Sequence, residues 1–268
     1  MQLLAGLAKG GFVMALLHVD FFSRALSMCV QMDVILPQET RGQIGMNGKG
    51  GRNYPTLYLL HGLSDDHTIW QRRTSIERYV SDLGMAVVMP STARCWYTDS
   101  VAGKYFTYIA DELPEICREF FPNMSSARED TYIAGLSMGG YGAFKIAMRR
   151  PERFSMAASL SGAFDIEKRA ARPENFHIFG NNAVGSENDS YAIARELRES
   201  GKPMPELFQW CGTEDSLYGE NIKMRDFLRE QGYSLTYSES AGNHSWPYWD
   251  EHIQDVLHWI MENRANQK

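Results

Sequence analysis

The feature that most limits the fold of this chain is a regular succession of short apolar runs and helical segments that begins near residue 56. Three of the apolar runs are continuous rather than alternating: Thr56–Leu60, Met85–Met89 and Thr131–Ala134. Continuous runs of this length are typical of strands that are buried on both faces. Strands that alternate with helices form parallel sheets through right-handed crossovers. The sequence therefore predicts an α/β protein with a central, mostly parallel twisted sheet and helices on both faces.

The other segments extend this pattern toward both ends of the chain. Two alternating stretches, 16–24 and 27–36, predict an antiparallel hairpin at one edge of the sheet. Further strands are predicted at 154–161, 207–211 and 234–239, and helices at 70–83, 106–121, 140–149, 221–231 and 249–263. The longest irregular stretch, 164–205, predicts a small cap at the carboxyl ends of the strands. We expect a single domain over residues 14–268, with 1–13 as a disordered extension or an expression remnant.

The composition limits the partners of this chain. Its 27 basic and 33 acidic residues give a net charge of −6, and no basic run exceeds two residues. A surface that binds nucleic acid or an anionic membrane needs clustered Lys and Arg. The four cysteines lie far apart and suit neither a disulfide framework nor a metal site. No apolar run reaches the roughly 18 residues of a membrane span, and the N-terminus is a poor signal peptide. We expect a cytoplasmic protein whose partner is a small molecule.

The sharpest local signal is the segment Gly135-Leu136-Ser137-Met138-Gly139, which has the form G-x-S-x-G. It lies between a predicted buried strand and a predicted helix, where such a turn holds the serine in a strained backbone conformation. The two glycines let the strand and the helix approach closely, and the unpaired N–H groups of the helix N-terminus favour a developing anion. Ser137 is therefore the candidate nucleophile. A purely structural glycine-rich turn is the alternative.

A serine hydroxyl needs a general base, and the base needs a carboxylate that fixes its tautomer. In this topology the base follows the last strand and precedes the last helix, which is the position of His244 among seven histidines. The strand before the last one runs into a loop with two adjacent acids, and Asp215 is the predicted partner of His244. Glu214 is the second choice and Asp165 the third. The order Ser137, Asp215, His244 matches that of the α/β-hydrolases.

Two backbone donors are needed to stabilise the oxyanion that forms during acyl transfer. One should be the N–H of Met138, the residue after the nucleophile. The other should follow the strand 56–60, where the chain reads His61-Gly62-Leu63, and we assign it to the N–H of Leu63. His61 is expected to hold this loop by hydrogen bonds rather than to transfer a proton.

Four aromatic residues in loops at the catalytic end are candidates for the wall of a substrate pocket: Trp96, Tyr97, Tyr218 and Trp246. Aromatic rings suit an acyl or phenyl group. Each of these rings could equally pack its own loop, and the sequence leaves both interpretations open.

Together these motifs resemble the tributyrin esterase branch of the esterase D and S-formylglutathione hydrolase family, within the α/β-hydrolase superfamily. The resemblance covers nearly the whole chain and is carried by the segments His61-Gly62-Leu63, Trp96-Tyr97-Thr98-Asp99, 135–142, Trp210-Cys211-Gly212 and 241–246. It implies an α/β-hydrolase fold and hydrolysis of short-chain acyl esters through an acyl-serine, without a cofactor. Relatives also accept acetylated sugars and feruloyl or other cinnamoyl esters. The family positions for nucleophile, acid, base and oxyanion donors fall on Ser137, Asp215, His244, Leu63 and Met138.

Two other functions stay open at this point. A thioesterase that acts on S-formylglutathione would keep the same three side chains. A catalytically silent binding module of this fold would be expected to have lost the serine, the histidine or the elbow glycines, which are all present. A homo-oligomer is a common arrangement for such enzymes, and the edge hairpin could pair with a second copy.

Overall fold

The structure, a computed structural model, describes residues 13–38, 53–181 and 183–267. The predicted extension at 1–13 lies outside the described residues, except that Val13 is the first residue of the first strand.

One sheet of eight strands organises the described part of the chain. Its strands are β1 Val13–Ser23, β2 Met28–Gln38, β3 Thr56–Leu60, β4 Ala86–Pro90, β7 Thr131–Leu136, β8 Met156–Leu160, β9 Glu206–Gly212 and β10 Leu235–Ser240, while β5 Asp99–Ser100 and β6 Gly103–Lys104 pair separately. The order across the sheet is β1-β2-β4-β3-β7-β8-β9-β10. Strand β2 is antiparallel to both of its neighbours, and every other pair in the sheet is parallel. The predicted parallel sheet with an edge hairpin is confirmed.

Helices cover both faces of this sheet. They are α1 Ile69–Arg73, α2 Ile76–Val80, α3 Tyr105–Thr107, α4 Leu113–Phe120, α5 Met138–Arg149, α6 Ile166–Ala170, α7 Phe176–Phe179, α8 Ser190–Ser200, α9 Tyr218–Glu230 and α10 Trp246–Gln267. Two apolar cores result, one under α1, α2 and α10 and the other under α3, α4, α5, α8 and α9. In β3, Leu57 and Leu59 enter the first core and Tyr58 and Leu60 the second. Because successive side chains of a strand point to opposite faces, a strand between two cores has to be apolar throughout.

The predicted helix at 70–83 is instead two short helices, α1 and α2, with Thr74 between them in an extended conformation. The Thr74 hydroxyl donates a hydrogen bond to the Trp70 carbonyl (2.5 Å) and accepts one from the Ile76 N–H (3.1 Å). Local side-chain bonds of this kind replace helical ones, so the helix ends and restarts at the threonine.

The predicted helix at 106–121 is continuous but changes its winding, with a π-helical turn at Tyr108–Glu112 between α3 and α4. Pro114 lies at the start of α4 and has no N–H to offer the Ala110 carbonyl one turn earlier. The altered winding therefore coincides with the place where an ordinary α-helical bond is missing.

The stretch predicted to be irregular, 164–205, contains three helices, α6, α7 and α8. Helix α8 packs against α5 and α9 and so belongs to the layer that covers the sheet. The short helices α6 and α7 contact each other and, with the chain around them, lie at the carboxyl ends of the strands. No helix within the described ranges is long and apolar enough to cross a membrane.

Candidate active site

Ser137 occupies a sharp turn between β7 and α5, with φ 53° and ψ −115°. This left-handed region is costly for a residue with a Cβ and marks a strained position. The turn is possible because a strand and a helix meet at two glycines. A Cβ on Gly135 would lie 2.5 Å from the Gly139 carbonyl carbon, and a Cβ on Gly139 would lie 2.6 Å from the Leu60 oxygen. The G-x-S-x-G segment therefore forms the strand–turn–helix geometry that its pattern predicts.

Three side chains from separate parts of the chain meet at this turn and are called here the Ser137 cluster: Ser137, His244 and Asp215. The His244 Nε2 lies 3.0 Å from the Ser137 Oγ. The His244 Nδ1 lies 2.9 Å and 3.1 Å from the two carboxylate oxygens of Asp215. With the Nδ1–H donated to the carboxylate, Nε2 is the nitrogen that can accept the serine proton. The structure brings together the three residues that the sequence singled out.

The surroundings of Asp215 favour its ionised form, although its side chain is 0% exposed. Burial raises the pKa of Asp215, but hydrogen bonds from His244, the Leu217 N–H and the Ser161 hydroxyl outweigh burial and leave the pKa below its ordinary value. The Leu217 N–H donates to Oδ1 at 2.8 Å. A carboxylate that is held in this way keeps the imidazole in one tautomer.

The two other acids considered from the sequence have different partners. Glu214 accepts a hydrogen bond from the Gly242 N–H at 2.5 Å and so secures the loop that carries His244. Asp165 caps α6 by accepting from the Lys168 N–H at 3.0 Å. The two adjacent acids therefore have different roles. Asp215 contacts the His244 imidazole, and Glu214 holds the backbone of the His244 loop through Gly242.

The loop after β3 is held by His61, as the sequence predicts. The Thr92 N–H donates to the Nε2 of His61 (3.0 Å), so the opposite nitrogen carries the hydrogen and donates to the Gly62 carbonyl (2.7 Å). Burial lowers the pKa of His61 and keeps the ring neutral. Leu63, two residues on, lines the same cavity as Ser137 and His244. Met138 is the first residue of α5, and its N–H has no acceptor within the helix.

A cavity of about 160 Å³ adjoins the Ser137 cluster. Its wall is formed by Leu63, Trp96, Ser137, Ala163, Arg169, Arg172, Ser216, Leu217 and His244. Apolar side chains thus face the serine together with two arginines from the cap. The two arginines, Ala163, Ser216 and Leu217 are not among the residues that the sequence singled out.

Of the four aromatic candidates, Trp96 lines this cavity, and its ring packs edge-on against Tyr141. Tyr97 is fully buried behind the wall, where its hydroxyl donates to the His61 carbonyl at 2.8 Å. Tyr218 donates to Glu239 at 3.0 Å, away from the cavity wall. Trp246 packs edge-on against Trp70 at 5.2 Å. Tyr97 therefore supports the loop after β3, whereas Tyr218 and Trp246 are the first residues of α9 and α10 and contact β10 and α1.

Ser161 is a site residue that sequence reasoning missed. It follows β8, has φ 52°, and its Oγ accepts a hydrogen bond from the Trp249 indole N–H at 3.2 Å. The Trp249 ring in turn meets the His244 ring edge-on at 4.9 Å. The signal was available in principle, because Ser161 follows a buried strand at the same sheet edge as Ser137.

A buried ammonium ties the site loop, the nucleophile helix and the cap together. Lys145, in α5, is 0% exposed and donates hydrogen bonds of 2.7 Å to the Thr98 hydroxyl and 2.7 Å to the Asn188 side-chain oxygen. Thr98 directly follows Trp96 and Tyr97, which both have positive φ. Burial, and after it the nearby Arg149, hold the pKa of Lys145 well below its ordinary value.

A second set of serine, histidine and aspartate lies at the end of β10 and is called here the Ser240 cluster: Ser240, His252 and Asp255. The His252 Nε2 lies 3.1 Å from the Ser240 Oγ, and its Nδ1 lies 2.7 Å from the Asp255 carboxylate. The His252 ring stacks on Trp210, whose indole N–H donates to the Ser240 Oγ at 3.2 Å. None of the three residues lines the cavity beside Ser137.

Within the described ranges, no group of three or more His, Cys, Asp or Glu side chains is placed to hold a metal ion.

A strained serine between a buried strand and a helix, at the carboxyl edge of a mostly parallel sheet, defines the α/β-hydrolase fold. The model of the Esterase family matches residues 23–260, and the chain belongs to this family. An acetyl esterase from Caldicellulosiruptor saccharolyticus is 30% identical to it over 93% of this chain and 99% of the relative.

Two solved structures from Staphylococcus aureus share the fold closely. The fluorophosphonate-binding serine hydrolase F, in a substrate-bound structure, has a TM-score of 0.85 at 31% identity and covers 93% of this chain and 99% of its own. The S-formylglutathione hydrolase FrmB, as the apoenzyme, has a TM-score of 0.82 at 32% identity over 92% and 99%. These relatives support an esterase of the carboxylic ester hydrolase type.

Proposed function

We propose that the protein is a serine carboxylesterase that hydrolyses short-chain acyl esters through an acyl-serine intermediate. The observation that carries this proposal is the position of His244, within hydrogen-bond distance of the Ser137 hydroxyl on one side and the Asp215 carboxylate on the other. The strained turn and the adjoining cavity add a place where an ester carbonyl can meet the hydroxyl.

In the first half of the reaction the Ser137 Oγ attacks the ester carbonyl carbon while the Nε2 of His244 takes the serine proton. Asp215 stabilises the imidazolium that forms. The tetrahedral intermediate collapses when the C–O bond to the alcohol breaks and His244 returns the proton to the departing oxygen. In the second half, water takes the place of the alcohol and His244 removes its proton as the water oxygen attacks the acyl carbon. The bond to the Ser137 Oγ then breaks, His244 returns the proton to that oxygen, and the carboxylic acid leaves.

The N–H groups of Leu63 and Met138 are proposed to hold the oxyanion. Met138 offers the first N–H of α5, which lacks an acceptor within the helix, and Leu63 lines the cavity beside Ser137. Donors fixed before the reaction stabilise the charge without reorganising, and the loss of one such donor typically reduces kcat by about 10²- to 10³-fold.

The cavity favours a small acyl group. Its volume of about 160 Å³ is below the roughly 300–1,000 Å³ that is usual for ligand pockets. Acetyl and butyryl esters are the best fit, and acetylated sugars and feruloyl or other cinnamoyl esters are further members of the proposed range. We also propose a cytoplasmic location, and for the assembly a monomer or a homo-oligomer paired through the edge strand β1.

A substrate panel tests this range. Rates should fall steeply for p-nitrophenyl esters longer than the butyrate and hexanoate, because the cavity has no room for a long chain. A high kcat/KM for the dodecanoate would contradict the proposal for the acyl site.

A thioesterase that acts on S-formylglutathione is the second candidate, and the likeness to an enzyme of that name favours it. The same Ser137 cluster would perform the reaction with a thiol as the leaving group. A direct comparison of kcat/KM for S-formylglutathione with that for butyryl and feruloyl esters separates the two candidates.

The assignment of the nucleophile is tested by labelling with a fluorophosphonate probe and locating the modified peptide by mass spectrometry. The expected result is labelling of Ser137 in the native protein and no labelling of Ser137→Ala. Ser240→Ala is the matched control and should label as the native protein does. Failure of the native protein to react would leave the silent binding module as the better description.

A further inference from the structure

The wall of the cavity beside Ser137 carries positive charge and contains no carboxylate among its lining residues. Its charged lining residues are Arg169 and Arg172, both from the cap. This is unusual in a chain whose net charge is −6. A cleft lined by charges of one sign raises the local concentration of ligands of the opposite sign.

The two arginines differ in how far their charge is compensated. The Arg169 side chain is 4% exposed and forms an ion pair with Glu220, which neutralises it within the fold. Arg172 is exposed, and within the described residues no carboxylate forms an ion pair with it. Arg172 is therefore the cation of the cavity wall that is available to a ligand.

The positive charge is confined to one side of α6, because the cavity on its other side is lined mainly by acidic residues. A neighbouring cavity there is lined by Asp165, Glu167, Asp189 and Glu220 with the single cation Lys223. An anion near the cap is therefore attracted toward the side of Ser137 and repelled from the other side. Even Glu220, which pairs with Arg169, faces this second cavity.

The backbone that carries Arg172 is held in place relative to the site. The Asn175 N–H donates to the Arg172 carbonyl at 2.9 Å, and the Asn175 side-chain N–H donates to the Arg169 carbonyl at 2.9 Å. The Asn175 side-chain oxygen accepts the indole N–H of Trp96, which lines the cavity, at 3.2 Å. The backbone of Arg172 is therefore held beside the cavity, and only its side chain has to move to contact a ligand.

We propose that Arg172 is a specificity-determining residue that selects esters bearing a carboxylate away from the scissile bond. This inference rests on the proposed esterase activity and adds the substrate class. A guanidinium binds a carboxylate through two parallel N–H···O bonds, which suits an anionic group at the rim of the cavity. The carboxylate can belong to the acyl part or to the alcohol part of the ester, and the experiment distinguishes these sources.

The test compares two pairs of esters of matched shape. In the acyl pair, the p-nitrophenyl monoester of adipic acid is compared with the ester in which the free carboxylate is a primary amide. In the alcohol pair, p-acetoxybenzoate is compared with p-acetoxybenzamide. Each kcat/KM is measured for the native protein, Arg172→Gln and Arg172→Glu. Arg78→Gln, in α2 under the opposite face of the sheet, is the control for loss of a surface charge.

The expected result is a preference of the native protein for the carboxylate over the amide in one of the two pairs. Arg172→Gln should raise KM for that anionic ester about three- to tenfold with little change in kcat, because an exposed ion pair contributes modestly and equally to the ground and transition states. Arg172→Glu should reduce kcat/KM further, and the neutral esters should change less than about twofold with either variant. High salt should remove the preference of the native protein.

The outcomes separate this inference from the proposed function. Equal hydrolysis of the carboxylate and the amide in both pairs, unchanged in Arg172→Gln, overturns the role of Arg172 and leaves the esterase intact. A similar loss in Arg78→Gln would assign the effect to net charge and also overturn it. If the native protein hydrolyses none of the four esters, the proposed function fails and this inference fails with it.

Discussion

The Ser137 and Ser240 clusters have nearly the same hydrogen-bond geometry and very different surroundings. The distance from serine to histidine is 3.0 Å in the first and 3.1 Å in the second, and the distance from histidine to aspartate is 2.9 Å and 2.7 Å. The first serine has a strained backbone at a helix N-terminus and lines a cavity. The second lies in the last strand of the sheet, β10, and its Oγ already accepts the Trp210 indole N–H.

The acids differ as well. Asp215 is 0% exposed and comes from a different segment of the chain than His244, whereas Asp255 is 57% exposed and lies one helical turn beyond His252. A carboxylate in water is mobile and screened, so it orients an imidazole weakly. The comparison teaches that three correct distances do not make a nucleophile. Placement beside oxyanion donors and a substrate cavity is the additional requirement.

The largest expected effect is on the two serines. Ser137→Ala should reduce kcat/KM for p-nitrophenyl acetate by about 10⁴- to 10⁶-fold, since removing the nucleophile leaves only binding and oxyanion stabilisation. Ser240→Ala should change it less than about twofold. Circular dichroism and thermal melting should show both variants folded. A comparable loss in the two variants would show that the second cluster contributes to the reaction.

The aspartates should follow with a smaller effect. Asp215→Asn should reduce kcat by about 10³- to 10⁴-fold, because the amide favours the wrong imidazole tautomer, while KM stays nearly unchanged. Asp255→Asn should leave both constants unchanged. Steady-state kinetics at neutral pH measure the difference, and full activity of Asp215→Asn would remove the basis for choosing this acid.

Substitution of the two histidines should have opposite effects: loss of His252 should reduce stability, and loss of His244 should reduce activity. His252→Asn loses the stack on Trp210 and two side-chain hydrogen bonds, which should lower the free energy of unfolding by about 1–2 kcal/mol without changing kcat. His244→Asn should abolish turnover with a smaller change in stability. Urea denaturation of both variants, followed by fluorescence, provides the measurement.

The smallest expected effect is the acid sensitivity of Asp215. The pKa of Asp215 in the folded protein is below the ordinary value that an aspartate has in the unfolded chain. The folded state therefore favours the ionised form, and this stabilisation is present above the unfolded pKa of about 4. It should be lost as the pH falls through the lower pKa of the folded state. The difference in unfolding free energy between native protein and Asp215→Asn should therefore shift against the native protein on acidification. A difference that does not depend on pH would contradict this.

Much of the fold and of the Ser137 cluster could be predicted from the sequence, because the signals are local. The buried strand at Thr56–Leu60 and the elbow around Ser137 are encoded in consecutive residues. The positions of His244 and Asp215 followed from counting strands, since the carboxyl ends of parallel strands share one edge of the sheet.

The parts that were missed depend on contacts between distant residues. The break at Thr74 results from a hydroxyl that satisfies two backbone groups, and nothing in the local pattern separates it from an ordinary helical threonine. For Tyr97 the sequence leaves a pocket position and loop packing open, and the choice depends on a distant contact, the hydrogen bond from its buried hydroxyl to the His61 carbonyl. Arg172 reaches the cavity because the cap folds over the strand ends. No periodic pattern of apolar residues in the sequence predicts how the cap packs.

The buried Lys145 has a consequence for protein engineering. Its ammonium is shared by the nucleophile helix, the Thr98 loop and Asn188 of the cap. Cap segments exchanged between related enzymes to alter selectivity must therefore bring an oxygen acceptor to the same place. A transplanted cap with an aliphatic side chain there would leave the buried amine one hydrogen bond short, at a cost of about 1–3 kcal/mol. Lys145 does not line the cavity, yet it limits which cap sequences the protein can accept.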